Sequence, residues 1–318
     1  MTISKFDPQN PFDCFIVQSE AMKSAVENAK RFAMFDAPLL IQGETGSGKD
    51  LLAKACHYQS LRRDKKFIAV NCAGLPDEDA ESEMFGRKVG DSETTGFFEY
   101  ANKGTVLLDG IAELSLSLQA KLLRFLTDGS FRRVGEEKEH YANVRVICTS
   151  QVPLHLLVAQ GKVRADLFHR LNVLTINVPA LRDRMADIEP LAQGFLQEIS
   201  EELKIAKPTF DKDFLLYLQK YDWKGNVREL YNTLYRACSL VQDNHLTIES
   251  LNLALPQSAV ISLDEFENKT LDEIIGFYEA QVLKLFYAEY PSTRKLAQRL
   301  GVSHTAIANK LKQYGIGK

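Results

Sequence analysis

The 318-residue chain is poor in several things that would each announce a function class. Its five cysteines, Cys14, Cys56, Cys72, Cys148 and Cys238, are scattered and odd in number, with no CxxC pair. That spacing excludes a disulfide framework and offers no zinc-ligand set, so they read as reduced thiols, mostly small buried hydrophobes. No run of about 18 apolar residues occurs and the N-terminus has no apolar signal core, which predicts a cytoplasmic protein with no membrane span. There is one tryptophan, no internal repeat and no low-complexity tract. Excess charge is also missing, the net being only -3. The charge is unevenly placed, however. From Pro291 to the end stand Arg294, Lys295, Arg299, Lys310, Lys312 and Lys318 with no acidic residue, leaving an acidic body. A basic end on an acidic body points to a polyanion partner for that end alone.

The remaining composition, 45% hydrophobic and 25% charged, suits a folded chain of two or three domains. A helical pattern runs from Ala21 to about Phe35. Short apolar runs at 37–41, 67–70, 105–108, 144–148 and 173–178 read as buried strands, with helical stretches such as 118–126 between them. Alternating strands and helices imply a parallel sheet covered on both faces. The strand signal stops near Asp183, and a helical subdomain is expected to about Leu253. A linker is expected from Pro256 to Lys269, followed by at least two helices.

Two segments carry chemistry. Gly43-Glu44-Thr45-Gly46-Ser47-Gly48-Lys49-Asp50 follows the first strand and opens a helix. Glycines let backbone N–H groups curl around phosphate oxygens, Lys49 supplies a point charge, and the helix N-terminus adds its dipole. Asp50 stands where Ser or Thr usually touches magnesium. Val106-Leu107-Leu108-Asp109 is an apolar strand ending in a carboxylate, which in this company orients magnesium. Nucleotide, ATP, with Mg2+ on Asp50 and Asp109 is the expected ligand.

The second segment runs from Ser292 to about Tyr314. Leu296, Ala297 and Leu300 form the buried stripe of a first helix, Gly301 a tight turn, and Ser303 the cap of a second helix whose inner side is Ala306, Ile307 and Leu311. This is a helix-turn-helix, whose second helix enters the major groove of double-stranded DNA. Ser303, His304, Thr305 and Asn309 are candidates for base edges, and Arg294, Lys295, Arg299 and Lys310 for phosphates. His304 serves either role, and a basic helical hairpin used only as a dimer contact is the plain alternative.

From the phosphate loop onward the chain resembles the AAA+ domain of the sigma-54-type bacterial enhancer-binding regulators. Asp50 fits, because that family carries an acidic residue after the loop lysine. The likeness continues through Asn71-Cys72-Ala73, Ser82-Glu83-Met84-Phe85-Gly86, residues 118–124, Arg133-Val134-Gly135, residues 166–173 and Gly225-Asn226-Val227-Arg228-Glu229-Leu230. It implies an α/β P-loop AAA+ fold, a parallel sheet with flanking helices, plus a helical lid and a C-terminal all-α helix-turn-helix. The implied divisions are a tail at 1–13, the α/β subdomain at 14–182, the lid at 183–254, a linker at 255–270 and the DNA-binding domain at 271–318. It also implies trans-acting arginines at Arg164 and Arg170, a sensor arginine at Arg228 and a polar sensor at Gln151. Trp223, where the family usually has Pro, reads as a core aromatic.

Two departures from that family matter. Its acid pair is Asp-Glu, and here it is Asp109-Gly110, so the carboxylate that polarises the attacking water is gone. Its GAFTGA loop, which touches sigma-54, is replaced by Gly90-Asp91-Ser92-Glu93-Thr94-Thr95. Weak hydrolysis and no sigma-54 promoter opening are therefore expected. The stretch from Tyr290 to Leu311, with 122–129 and 146–148, is similar to the tyrosine-responsive repressors within the family. These lack the GAFTGA loop and work with the housekeeping RNA polymerase. The resemblance implies tyrosine as effector, bound with ATP by the central domain, and assembly from dimer to hexamer. Because the chain begins at the central domain, without the regulatory region linked to activation, repression is expected to outweigh activation of aromatic amino acid genes. A working ATPase or other phosphohydrolase, and a divergent sigma-54 activator, remain as alternatives.

Overall fold

A computed structural model describes residues 6–75, 79–241, 243–251 and 270–316. The chain forms two compact units, one up to Ala254 and one from Leu255 onward.

The first unit is built on a parallel five-stranded sheet: β1 (Leu39–Gln42), β2 (Phe67–Asn71), β3 (Thr105–Asp109), β4 (Arg145–Ser150) and β5 (Leu174–Asn177), in spatial order β2-β3-β4-β1-β5. Register places Leu39 beside both Ile147 and Leu174, and Asn71 beside Asp109. Successive side chains of a strand point to opposite faces, which explains why apolar runs rather than alternating ones occur here. Leu40, Val106, Leu108, Val146 and Cys148 enter one core, with Phe85, Phe98, Phe125 and Phe131. Leu39, Ile41, Leu107 and Ile147 enter the other, with Met22, Ala29, Leu52 and Cys56. Helices α1 (Glu20–Ala33), α2 (Lys49–Gln59), α3 (Leu116–Asp128) and α4 (Ala165–Leu171) flank the sheet. All five cysteines are buried free thiols.

Helix α1 is fixed at both ends by groups distant in sequence. Ser19 caps it, and the Ser19 N–H and Oγ donate to the Asp187 carboxylate at 2.7 and 2.8 Å. At the other end the buried Arg145 guanidinium donates to the Ala33 and Phe32 carbonyls, where a cation suits the helix dipole.

The lid that follows packs α5 (Ile188–Leu203), α6 (Lys212–Lys220) and α7 (Asn226–Leu240) around Phe195, Leu196, Phe214, Leu218, Trp223, Leu230 and Leu234. Trp223 is fully buried and its indole N–H donates to the Leu218 carbonyl at 2.6 Å. The expectation of helices alone misses two details. Thr209–Phe210 and His245–Leu246 pair as a two-residue parallel bridge. In the α/β part, Arg87–Val89 pairs with Ser92–Thr94 and Ser130–Arg132 with Glu139–Tyr141, as antiparallel hairpins.

The second unit holds α8 (Leu271–Glu289), α9 (Thr293–Leu300) and α10 (His304–Gln313) around Leu283, Leu296, Ala297, Ile307 and Leu311. A capping box between Thr270 and Glu273 starts α8. The linker expected at Pro256–Lys269 lies outside the described residues. No helix among the described residues is long and apolar enough to cross a membrane.

Candidate nucleotide pocket and DNA-reading helix

Loop 43–48 leaves β1 and turns into α2 at Lys49. Gly48 caps α2 with no side-chain bond of its own, so the first helical N–H groups stay available to a ligand. Lys49 is buried, and its ammonium donates to the Glu44 carbonyl at 2.9 Å. Burial lowers its pKa, and the charges of Asp50 and Asp109 oppose that shift. Asp50 reaches the open side of the pocket. Its pKa is raised by the protein packed around it and by the like charge of Asp109, against Lys49 and Arg228.

The loop is held by the lid. Gly46 has φ +74°, and a Cβ there would lie 2.2 Å from the Gly225 carbonyl oxygen, so only glycine permits this approach. The Val227 N–H donates to the Gly46 carbonyl at 3.0 Å. The Glu44 side chain takes a two-pronged ion pair from Arg182 and a hydrogen bond from Asn226 Nδ2 at 3.1 Å. The Arg182 guanidinium first, and then Asn226, hold its carboxyl down at about 2. Asn226 also donates to the Thr45 carbonyl and accepts from the Leu181 N–H at 2.7 Å. Thr45 is exposed; Ser47 is buried and its hydroxyl has no partner among the described residues.

Between loop and lid lies a cavity of about 310 Å³. Gly46 to Asp50, Lys49 among them, and Arg228 line its polar side, and Phe15, Ile16, Met22, Leu191 and Phe195 its apolar side. A phosphate cradle joined to an apolar wall has the form of a nucleotide site. The apolar wall and the lid arginines Arg182 and Arg184 were not singled out from the sequence, since single residues spread over 180 positions leave no local motif.

Asp109 ends β3 and accepts a hydrogen bond from the Thr149 hydroxyl, which also accepts from the Gly110 N–H at 3.0 Å. Thr149, on β4, is thus the polar side chain that meets Asp109. Gln151, the expected polar sensor after the fourth strand, lies one residue beyond β4 and is exposed. Gly110 has φ +77°, and a Cβ there would meet Glu113 Cγ at 3.5 Å, an ordinary contact. Arg164 and Arg170 sit at either end of α4 and are exposed, the first paired with Asp166 at 2.8 Å and the second donating to the Leu126 carbonyl at 2.7 Å. Neither lines the pocket of its own chain.

In the second unit, Gly301 has φ +67° and closes α9 tightly against α10. Arg294, Lys295, Arg299, Ser303, His304, Thr305 and Asn309 are all exposed. Ser303 Oγ accepts from the Ala306 N–H at 3.2 Å, and His304 Nε2 lies 3.2 Å from Thr293 Oγ1. The ammonium of Lys310, expected at a phosphate, pairs with Glu279 of α8, which also accepts from the Tyr314 hydroxyl at 2.7 Å. Spacing along α10 cannot reveal a partner 31 residues away.

Residues 15–177 match the Sigma-54 interaction domain family, 182–265 the AAA+ ATPase lid domain and 268–317 a helix-turn-helix domain. The chain is 98% identical, over the whole of both chains, to the HTH-type transcriptional regulatory protein TyrR of Haemophilus influenzae. It is 50% identical to the protein of that name from Enterobacter agglomerans, covering 98% of this chain and 60% of the relative. Crystal structures of NtrX from Brucella abortus in complex with ADP and with ATP superpose with TM-score 0.71 at 32% and 31% identity, over 95% of this chain and 69% of theirs. The chain belongs to the TyrR family of transcriptional regulators, with a sigma-54 interaction domain, an AAA+ lid and a DNA-binding helix-turn-helix.

Proposed function

We propose that this regulator binds ATP as a signal rather than as a fuel, and that tyrosine is its co-effector. The observation that carries the first half is the pairing of a phosphate cradle with Gly110, which leaves no side chain at the position that follows Asp109. Absence of a positioned general base costs about 10²–10⁴ in rate, and a slowly hydrolysed nucleotide makes a lasting conformational state. The NtrX complexes with ADP and ATP support nucleotide in this fold. Magnesium suits the hard oxygens of Asp50 and Asp109, whose like charges face one another. Bound there, it would neutralise phosphate charge.

The rest of the reading follows from the family. Tyrosine with ATP drives assembly from dimer toward hexamer, and Arg164 and Arg170 reach a neighbour's nucleotide. The helix-turn-helix grips two-fold operators through Arg294, Lys295 and Arg299, with Ser303, His304, Thr305 and Asn309 toward the bases. The outcome is mainly repression of aromatic amino acid biosynthesis and transport genes transcribed by the housekeeping RNA polymerase.

The test measures ATP binding and phosphate release by the same preparation. Tight binding with slow release is expected, and Gly110→Glu, despite a left-handed backbone that costs about 1 kcal/mol for a side chain, should release phosphate faster. Brisk turnover by the parent contradicts the proposal. One observation favours an active ATPase as a second reading: Glu113 lies beside Gly110 and could orient water in place of the missing residue. That reading requires Glu113→Gln to abolish the turnover.

A further inference from the structure

The pocket contains a cation that the phosphate-loop reading does not use. Arg184, where the lid begins, is 4% exposed and lines the cavity beside Ser47 and Met22. Among the described residues, its hydrogen-bond partners are the Ser47 carbonyl, 2.9 Å from one terminal nitrogen, and Met22 Sδ, 3.0 Å from the other. Its buried Nε has none. A guanidinium carries five donors and no acceptor, and a thioether sulfur is a weak acceptor. The Asp187 charge offsets part of the burial, but donors left without a strong acceptor remain costly, so a ligand acceptor entering the pocket gains more here than at a satisfied group.

Position decides what that acceptor is. The phosphates belong to Lys49 and the N–H groups of the loop. The flat base belongs against Met22, Leu191 and Phe195. Arg184 stands between these two regions, with its carbonyl partner on the loop and its sulfur partner on the apolar wall. A donor-only group at that junction takes an acceptor, a ribose oxygen or an unprotonated ring nitrogen, and cannot pair with an exocyclic amine.

We propose that Arg184 reads the base, donating a hydrogen bond to an unprotonated ring nitrogen of a purine nucleotide. This rests on the nucleotide reading above. The competing roles are a strut that only holds the loop through Ser47, a further phosphate contact, and a contact to a ribose oxygen, which would leave the chain indifferent to all three ring nitrogens.

The experiment measures equilibrium binding of ATP, of its 1-deaza, 3-deaza and 7-deaza analogues, and of inorganic tripolyphosphate, to the full chain and to Arg184→Met and Arg184→Lys. One analogue should bind the native chain about tenfold more weakly than ATP, the worth of one charge-assisted hydrogen bond. In Arg184→Met, ATP and that analogue should bind alike, while tripolyphosphate binds as it does to the native chain. Arg184→Lys, which keeps the charge, should restore part of the discrimination. A native chain indifferent to all three ring nitrogens overturns the proposal while leaving the nucleotide site intact, and needs no variant to fold. Equal loss of ATP and tripolyphosphate in Arg184→Met overturns it in favour of the strut or phosphate roles. Failure of the native chain to bind ATP at all overturns the nucleotide reading, and this proposal with it.

Discussion

Asn226 is the residue whose removal most sharply tests how the lid holds the phosphate loop. It is fully buried and sits at φ +54°, a left-handed backbone that asparagine tolerates and alanine resists. Its side chain accepts from the Leu181 N–H at 2.7 Å and donates to the Thr45 carbonyl at 3.0 Å and to Glu44 at 3.1 Å. Asn226→Ala strands the Leu181 N–H in a buried place, which costs about 1–3 kcal/mol. The left-handed backbone adds about 1 kcal/mol, for a total of roughly 2–4 kcal/mol. Asn226→Gly loses the same hydrogen bonds without the backbone strain, so it should be the milder change by about 1 kcal/mol. Urea denaturation read by tryptophan fluorescence suits the purpose, because the chain has one tryptophan and Trp223 lies in the lid core. The reasoning is refuted if Asn226→Ala costs under about 0.5 kcal/mol, below the expected worth of one stranded donor, or if the glycine variant is as unstable as the alanine one.

Three further outcomes follow from the geometry. His57 is fully buried, with Nδ1 2.9 Å from Thr105 Oγ1 and no partner on Nε2 among the described residues. Burial pushes its pKa down to about 4 from 6.5. A folded pKa below the unfolded one means that the unfolded chain takes up protons first. The contribution is therefore whole above about pH 6.5 and is lost as pH falls toward 4, by roughly 3 kcal/mol at most. Denaturation midpoints across that range should fall less steeply in His57→Phe than in the parent, and parallel curves would contradict this. Arg294→Ala should weaken all double-stranded DNA alike and lower the slope of log affinity against log salt by about one. Lys310→Ala, whose parent ammonium is tied to Glu279, should change that slope less.

The sheet and the phosphate loop were legible because their signals are local. Apolar runs of strand length that end in glycines or in Asp109 leave few other readings, and the helix-turn-helix announces itself through Gly301 and two apolar stripes. What escaped was non-local. Thr149 reaches Asp109 only because β3 and β4 are neighbours. Lys310 reads as a free basic residue until α8 brings Glu279 to it. The short hairpin at 87–94 is anchored from elsewhere: buried Arg133 pairs with Glu93 and Glu99, and the Lys88 N–H donates to the Val134 carbonyl at 2.8 Å. Arg184 and the apolar wall belong to a pocket assembled from three regions of the chain.

On the proposed function, nucleotide and tyrosine together set the DNA-binding state of this regulator. The direct measurement is an affinity titration of the full chain on a two-fold operator selected from random double-stranded DNA, alone, with ATP, with tyrosine, and with both. Linkage requires that each effector strengthen the other's action equally. The pair is expected to tighten binding beyond either ligand alone, without ATP consumption on the timescale of binding. Four superimposable isotherms, or a tightening that vanishes when hydrolysis is blocked, would contradict it.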